Sequence, residues 1–579
     1  MKAPDPFRHG ELTAALWMFR REFLVVGLFG MVANLMMLVP TIYMLQVFDR
    51  VMRSRSEITL LAVSLIALFL LGVMAFCEWS RARVLVRTGV RLDEQLGARV
   101  FDASFESHLD PSDAEPSRAF ADLAALRQFV TGSGLFALFD APWAPIHVAV
   151  IFFLHPFLGA VSLVFVAVQG ALAWFGHRRA VVPCEHASRA AADAQAYLQG
   201  KLRNAEVIES MGMLGNLRHR WRHRHNLSLA ANARAQGASS RAMAWSKFIR
   251  YSQQSLALAA GAVLVIKGQL TPGAMIATNL LMARALAPID QLVSGWHGFI
   301  AARAAFHRLD RLLADHPPRN PQPACPVLEG RVSLRDVTAG APGRAAPILQ
   351  GIGFSVPAGT VTAILGPSGS GKSTLGRVIM GIWPDMSGQV LVDGLPIQGG
   401  DRIALGPRLG YLPQEIELFD ATVGENIARL GELDAGKVIE AARCTGLHEM
   451  ILRLPKGYDT RIGEAGCLLS GGQRQRIGLA RAVYGDPAVL VLDEPAAHLD
   501  EAGEAALVRA LRQLKARGAT VFLITHRGSA LTAADRVLVL RGGRICADGP
   551  REAVLAGLGS QQPSRPQPPV RSREAAQAG

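Results

Sequence analysis

The sequence predicts two structural classes in one chain: an all-α bundle of six transmembrane helices, then an α/β domain of the P-loop kind. Three observations predict it. Half of the 579 residues are hydrophobic, too many for a soluble enzyme, and the longest apolar runs lie ahead of residue 293. His316-Pro-Pro-Arg-Asn-Pro-Gln-Pro323 then interrupts the chain with a semi-rigid, extended linker. Beyond it, the apolar run Val361–Leu365 leads into Gly366-Pro-Ser-Gly-Ser-Gly-Lys-Ser373 and a helix-forming stretch, the strand–loop–helix context that gives this glycine pattern its meaning.

The first span covers residues 23–47, with Asn34 as the strongly polar side chain near its middle, and is long enough to cross a bilayer. It is too long for a cleaved signal, and Phe48-Asp-Arg-Val-Met52 carries the chain on towards another span. The second covers 58–79, the third 135–154 and the fourth 157–175, with a tight turn at His155-Pro156. Prolines 142 and 145, close to Asp140, should kink the start of the third. The fifth and sixth, 248–266 and 274–292, carry Arg250, Arg284 and Asp290. Charges are costly in lipid, so Arg284 and Asp290 should face a cavity or one another.

Seven arginines lie between 81 and 127 and eleven basic residues between 178 and 241, against none at the His155-Pro156 turn. This bias puts the N-terminus, both long loops and the C-terminal domain in the cytoplasm. Arg50, Arg53 and Arg55 run against it, partly offset by Asp49 and Glu57. Rich in Ala, Leu, Arg and Glu, the two loops should continue the spans as helices. Between Arg218 and His225, His219 and His223 stand one helical turn apart, but cationic neighbours repel a metal. A solvated basic face is the default there, and contact with an anionic partner, lipid or substrate, stays open.

A net charge of +14 without interleaved aromatic and basic residues points to a membrane surface rather than nucleic acid. Cysteines 77, 184, 325, 444, 467 and 546 lack metal-ligand spacing and read as reduced small hydrophobes.

In the α/β part, Gly366, Pro367, Ser368, Gly369, Ser370, Gly371, Lys372, Ser373 and Thr374 make the phosphate cradle. Lys372 should reach the β- and γ-phosphates and Ser373 a Mg²⁺ ion. Ala488–Glu494 is a continuous apolar run, as in a strand buried on both faces, ending in two carboxylates. Asp493 suits Mg²⁺ and Glu494 the activation of a water. Ser470, Gly471, Gly472 and Gln473 offer a second set of backbone donors leading into a helix, while Gln414 and His526 end apolar strands where a γ-phosphate is sensed.

In their order these segments resemble the ATPase domain of ABC transporters, over residues 328–558. The resemblance implies Walker A at 366–373, the Q-loop at Gln414, the signature at Ser470–Gln473, Walker B at 489–494, the D-loop at 497–500 with Asp500, and the H-loop at His526. It further implies ATP and Mg²⁺ as cofactors, with Ser373, Gln414 and Asp493 on the metal and Lys372, Glu494 and His526 as the catalytic set. Two domains would pair head to tail in a homodimer, the signature of one chain facing the nucleotide of the other. One departure stands out: Val337–Gly343 lacks the aromatic residue that usually stacks on adenine.

Ahead of this domain, Tyr43–Arg50, Phe139–Gly159 and Asn204–Gly212 resemble the type I secretion permease-ATPases of Gram-negative bacteria that export metalloproteases and lipases. That resemblance implies a type I ABC exporter-like membrane domain in the bacterial inner membrane, in contact with membrane lipid. Its cargo would be an unfolded protein with a C-terminal signal, handed to a periplasmic membrane-fusion adaptor and an outer-membrane duct protein. An exporter of lipids or amphipathic small molecules is the alternative. Short coupling helices are implied at Asp102–His108 and Asn204–Gly212. The expected division is 1–22 cytoplasmic segment, too short for a folded domain, 23–312 membrane domain, 313–327 linker, 328–558 ATPase domain and 559–579 disordered tail.

Overall fold

The computed structural model describes residues 10–109, 118–202, 204–318, 328–341, 346–398, 402–463, 466 and 469–559. Contacts divide the chain into two units, the first taking in Met1–Ser107 and Glu115–Pro317 and the second chiefly Pro318–Gly579.

The first unit is helical throughout: α1 (Glu11–Met18), α2 (Arg20–Met36), α3 (Val39–Gln46), α4 (Glu57–Leu109), α5 (Ala119–Thr131), α6 (Ser133–Asp140), α7 (Ala144–Leu154), α8 (Pro156–Leu202), α9 (Ala205–Ser210), α10 (Leu214–Ile266) and α11 (Pro272–Asp315). The 53 residues of α4 extend about 80 Å, far beyond a hydrocarbon core of about 30 Å. The expected continuation of spans into long polar helices is therefore present, in α8 and α10 as well. Among the described residues four stretches are long and apolar enough to cross a membrane: Arg20–Ser54, Glu57–Leu109, Ala119–Leu154 and Pro156–Leu202. The fifth and sixth expected spans lie on the continuous helices α10 and α11. Arg250, Gln253 and Gln254 in the one and Asn279, Arg284 and Asp290 in the other dilute their apolar character.

Two sequence expectations change or narrow. Ahead of the first span, Leu12 and Ala15 of α1, with Phe19 just beyond it, bury against Leu92, Leu96 and Val100 of α4 and Leu309 and Leu313 of α11. Asp102–His108 is no separate coupling helix but the last turns of α4, which has no proline and no glycine after Gly97 to stop it; residues 110–117 lie outside the described part. At the second expected position, α9 is indeed a short helix. Of the two alternatives for Arg284 and Asp290, facing a cavity or one another, the second is not realised: six residues apart, they lie well round the helix from one another. Asp290 instead accepts from Gln169 Nε2 (2.6 Å) and Ser246 Oγ and pairs with Arg250 (3.3 Å), tying α8, α10 and α11 together.

A second tie joins the first three spans. Asp140, at the end of α6, accepts from Asn34 Nδ2 at 2.8 Å and from Arg81 Nη1 at 2.9 Å, all three side chains buried. Prolines 142 and 145 do interrupt the third span, where a 3₁₀ turn at Ala141–Trp143 separates α6 from α7.

The second unit holds two sheets, with β1 (Val332–Ala339), β2 (Leu349–Val356), β4 (Met386–Val392) and β5 (Leu395–Pro396) in an antiparallel one. The other has the order β10-β9-β3-β8-β7-β6, built from β3 (Val361–Leu365), β6 (Leu409–Leu412), β7 (Val489–Asp493), β8 (Thr520–Ile524), β9 (Arg536–Arg541) and β10 (Arg544–Pro550). Strands β9, β3, β8, β7 and β6 run parallel. Every residue of β7 and β8 is buried, which explains their unbroken apolar sequences. Around the sheet lie α12 (Lys372–Ile379), α13 (Val423–Ile427), α14 (Ala435–Cys444), α15 (Gly471–Val483) and α16 (Glu501–Ala516). Of the cysteines, 77, 184, 444 and 546 carry free thiols, while 325 and 467 lie outside the described residues, as do the tail beyond 559 and most of the linker.

Candidate nucleotide site

Strand order dictates where the chemistry gathers. Because β3, β8, β7 and β6 are parallel neighbours, the loops leaving their carboxyl ends emerge side by side, the usual ligand position in such sheets. Those loops carry, in spatial order, the glycine-rich turn, His526, Asp493 with Glu494, and Gln414.

The turn after β3 has no room for side chains at its ends. A Cβ on Gly366 would lie 2.2 Å from the Leu540 carbonyl oxygen; one on Gly371, whose φ is +98°, would lie 2.9 Å from Leu349. Between them Pro367, Ser368 and Gly369 are exposed, while Ser370 is buried with its hydroxyl unpartnered. Lys372 opens α12, followed by Ser373 and Thr374, and its ammonium donates to the Gly366 and Pro367 carbonyls at 2.9 Å each, curling back over the loop.

At the end of β7, Asp493 is buried and its Oδ1 has no hydrogen-bond partner. Burial pushes its carboxyl above the usual carboxylate range, Glu494 adding to that, against the pull of the Ser373 hydroxyl, Arg377 and Lys372. Glu494 adopts a left-handed backbone, φ +50°, unusual for a side chain of this kind, while its N–H still donates to the Ile524 carbonyl at 2.9 Å. The carboxylate is thereby turned out of the strand line, between Gln414, whose Nε2 donates to Oε2 at 3.3 Å, and His526, whose Nε2 lies 3.6 Å from Oε1.

A second cluster forms on α15 and α16. Ser470 caps α15 reciprocally with Gln473: the Gln473 N–H donates to Ser470 Oγ (3.3 Å) and the Ser470 N–H to Gln473 Oε1 (2.9 Å). Gly472 is compressed against the next loop, where a Cβ would stand 2.9 Å from the His498 carbonyl. Asp500 caps α16, accepting from the Gly503 N–H at 2.9 Å, and meets Arg476 at 2.5 Å. The Gly503 bond, helped by Arg476, holds the Asp500 carboxyl below the usual range.

The structure thus brings Lys372, Ser373, Asp493, Glu494, Gln414 and His526 to one sheet edge, and Ser470–Gln473 with Asp500 to a neighbouring corner. Sequence reasoning missed Gln475, which joins the two by donating to the Glu494 and Pro495 carbonyls at 3.3 and 3.1 Å. Its signal was available: Gln475 falls in register with buried Leu479 and Ala482, a polar side chain on the core face of a helix.

Comparison with known proteins covers both units. Residues 349–497 match the family described as ABC transporter, and residues 23–288 the ABC transporter transmembrane region. The chain is 40% identical over 550 residues to the type I secretion system ATP-binding protein PrsD of Rhizobium meliloti, covering 95% of this chain and 94% of that protein. It is 30% identical to the cyclolysin secretion/processing ATP-binding protein CyaB of Bordetella pertussis, covering 92% and 76%. Among solved structures, that of a bacterial Atm1-family ABC exporter with ATP bound matches with a TM-score of 0.81 at 24% identity, over 95% of this chain and all of the other, a likeness of fold.

Proposed function

The chain belongs to the ABC transporter family, with a transmembrane region and an ATP-binding domain in one polypeptide, and from that premise we propose that it is the inner-membrane ATPase of a type I protein secretion system. It is a multi-pass membrane protein and an ATP-hydrolysing transporter. Whole-length likeness to secretion ATP-binding proteins supports the cargo class: a polypeptide, exported unfolded with a C-terminal signal through an adaptor and an outer-membrane duct. The rival cargo is lipid or amphipathic small molecules. Positive charge on the long loops supports a cytoplasmic ATPase domain.

One observation carries the hydrolytic reading: the Glu494 carboxylate, aimed out of its strand between Gln414 and His526 beside the phosphate loop. There Glu494 takes the proton of an attacking water, His526 holds the γ-phosphate end, and Lys372 leaves its carbonyl perches to meet phosphate oxygens. Gly366–Thr374 wraps the phosphates through backbone N–H groups. The Ser373 hydroxyl, Asp493 and Gln414 form a hard-oxygen set suited to Mg²⁺, and the unpartnered Asp493 Oδ1 fits a cation. When bound, Mg²⁺ offsets phosphate charge. Ser470–Gln473 and Asp500 serve the nucleotide of a second copy, so the working unit is a homodimer.

The test uses Glu494→Gln protein loaded with ATP. A secreted polypeptide and an adaptor should co-purify with it, and a C-terminal signal peptide should alter wild-type ATPase activity. Activity that responds to amphipathic drugs but ignores the peptide would overturn the cargo assignment while leaving the ATPase intact.

A further inference from the structure

Where the fourth span ends, α8, α10 and α11 line a partly open apolar cavity of about 240 Å³, with Leu172, Trp174, Gly176, Ala180, Ala242 and Leu292 among its walls. Its height in the membrane follows from the sequence. The apolar run of α8 stops at Phe175 and that of α11 near Leu292, while Ala242 precedes the apolar part of α10 by six residues, about 9 Å of helix. The cavity therefore lies at the cytoplasmic rim of the bilayer, the level at which Trp and Arg anchor proteins to the interface.

Its rim is cationic. The Arg178 guanidinium stacks 4.1 Å over the ring of Trp174, and Arg179 and Arg241, next in sequence to the lining residues Ala180 and Ala242, are exposed. No carboxylate occurs anywhere on α10. The nearest ones in sequence are engaged: Glu185 with Arg189 at 3.9 Å, and Asp290 with Gln169, Ser246 and Arg250. A soluble anion would answer the charge but leave the apolar walls wet; an uncharged chain would cover the walls but leave the arginines without a counter-charge. Both demands are met by one molecule abundant at this depth.

We propose that this cavity binds an acyl chain of an anionic phospholipid from the cytoplasmic leaflet, its phosphate held by Arg178. Stacking on Trp174 leaves the guanidinium edge free for bidentate contact with phosphate oxygens. Since three helices line the cavity, the lipid spaces them, and ATP turnover should depend on anionic lipid whatever the cargo.

The full chain in phosphatidylcholine nanodiscs would be given phosphatidylglycerol or phosphatidylcholine carrying a photoactivatable acyl chain, and the labelled peptides mapped. The phosphatidylglycerol probe should label 172–180, 239–242 and 292–296 about fivefold more than the neutral probe, the worth of one basic contact. Arg178→Gln, an exposed change that spares the fold, should erase that preference. Gly176→Leu, whose side chain grows towards Ala242, should abolish labelling by both probes, with the elution profile on gel filtration unchanged. Equal labelling by both probes, or a preference that survives Arg178→Gln, overturns the proposal. So does displacement of the probe by inorganic phosphate, which would mark a free-anion site. Absent labelling with efficient cross-linking of an Ala242→Cys chain to a second copy would instead assign the cavity to the dimer interface.

Discussion

Carboxylates tell the two units apart. In the membrane unit, Asp140 and Asp290 are saturated: Asn34 and Arg81 hold the first, Gln169, Ser246 and Arg250 the second. In the ATPase unit, Asp493 is as deeply buried as Asp140, yet one of its oxygens has no partner. A buried charge left incomplete costs folding free energy, so its persistence marks a place reserved for a ligand, whereas a completed one ties helices together. Residue type alone does not distinguish these roles. Partner count does.

The largest effects should come from the incomplete site. Lys372→Ala should lose nucleotide binding and turnover together, while Glu494→Gln keeps binding and lowers phosphate release at least about 100-fold. Normal hydrolysis by the second variant would falsify the role given to Glu494. Next comes the contrast itself, read by thermal unfolding in detergent without nucleotide. Asp140→Ala strands Arg81 and should cost about 3–5 kcal/mol, most of it recovered when Arg81→Met and Asp140→Leu are combined. Asp493→Ala, which removes an unsatisfied buried carboxylate, should leave the ligand-free protein as stable or more so. If both alanine variants unfold equally early, the distinction fails.

Smaller still, Ser470→Ala should cost about 1 kcal/mol through loss of the cap on α15, apart from any effect on the partner's nucleotide. The gentlest test is Asp500. Its folded pKa is depressed, so its stabilisation is present above the unfolded carboxylate range and lost as pH falls through the folded value. The difference in urea midpoint between wild type and Asp500→Ala should hold steady from pH 8 to 5 and narrow only below about pH 4. A difference that grows on acidification would contradict the hydrogen-bonding assigned to it.

Much of the nucleotide site was legible because each of its parts is a short contiguous phrase, ending a strand or opening a helix, and parallel strands deliver their ends to one edge. The role of Gln475 was not, since its register marks it as a buried polar side chain but does not name the backbone carbonyls it reaches across the fold. In the membrane unit, four spans were legible from apolar length, but the polar ties were not. For Arg284 and Asp290 one dimension left two readings, a cavity or one another; helical geometry gave Asp290 to Arg250 on another helix. The docking of α1 was written in the spacing of Leu12, Ala15 and Phe19, a signal too short to separate from a tail until its receiving surface on α4 and α11 was in view.

The length of α4 has a mechanical consequence. With no proline anywhere along its 53 residues, it behaves as a stiff rod of about 80 Å. A tilt of about 5° at one end sweeps the other through about 7 Å, simple trigonometry on a body of that length. Such leverage turns a slight rotation into a displacement larger than a helical turn, and a proline introduced at mid-length, near Arg83, should blunt it while leaving both ends folded.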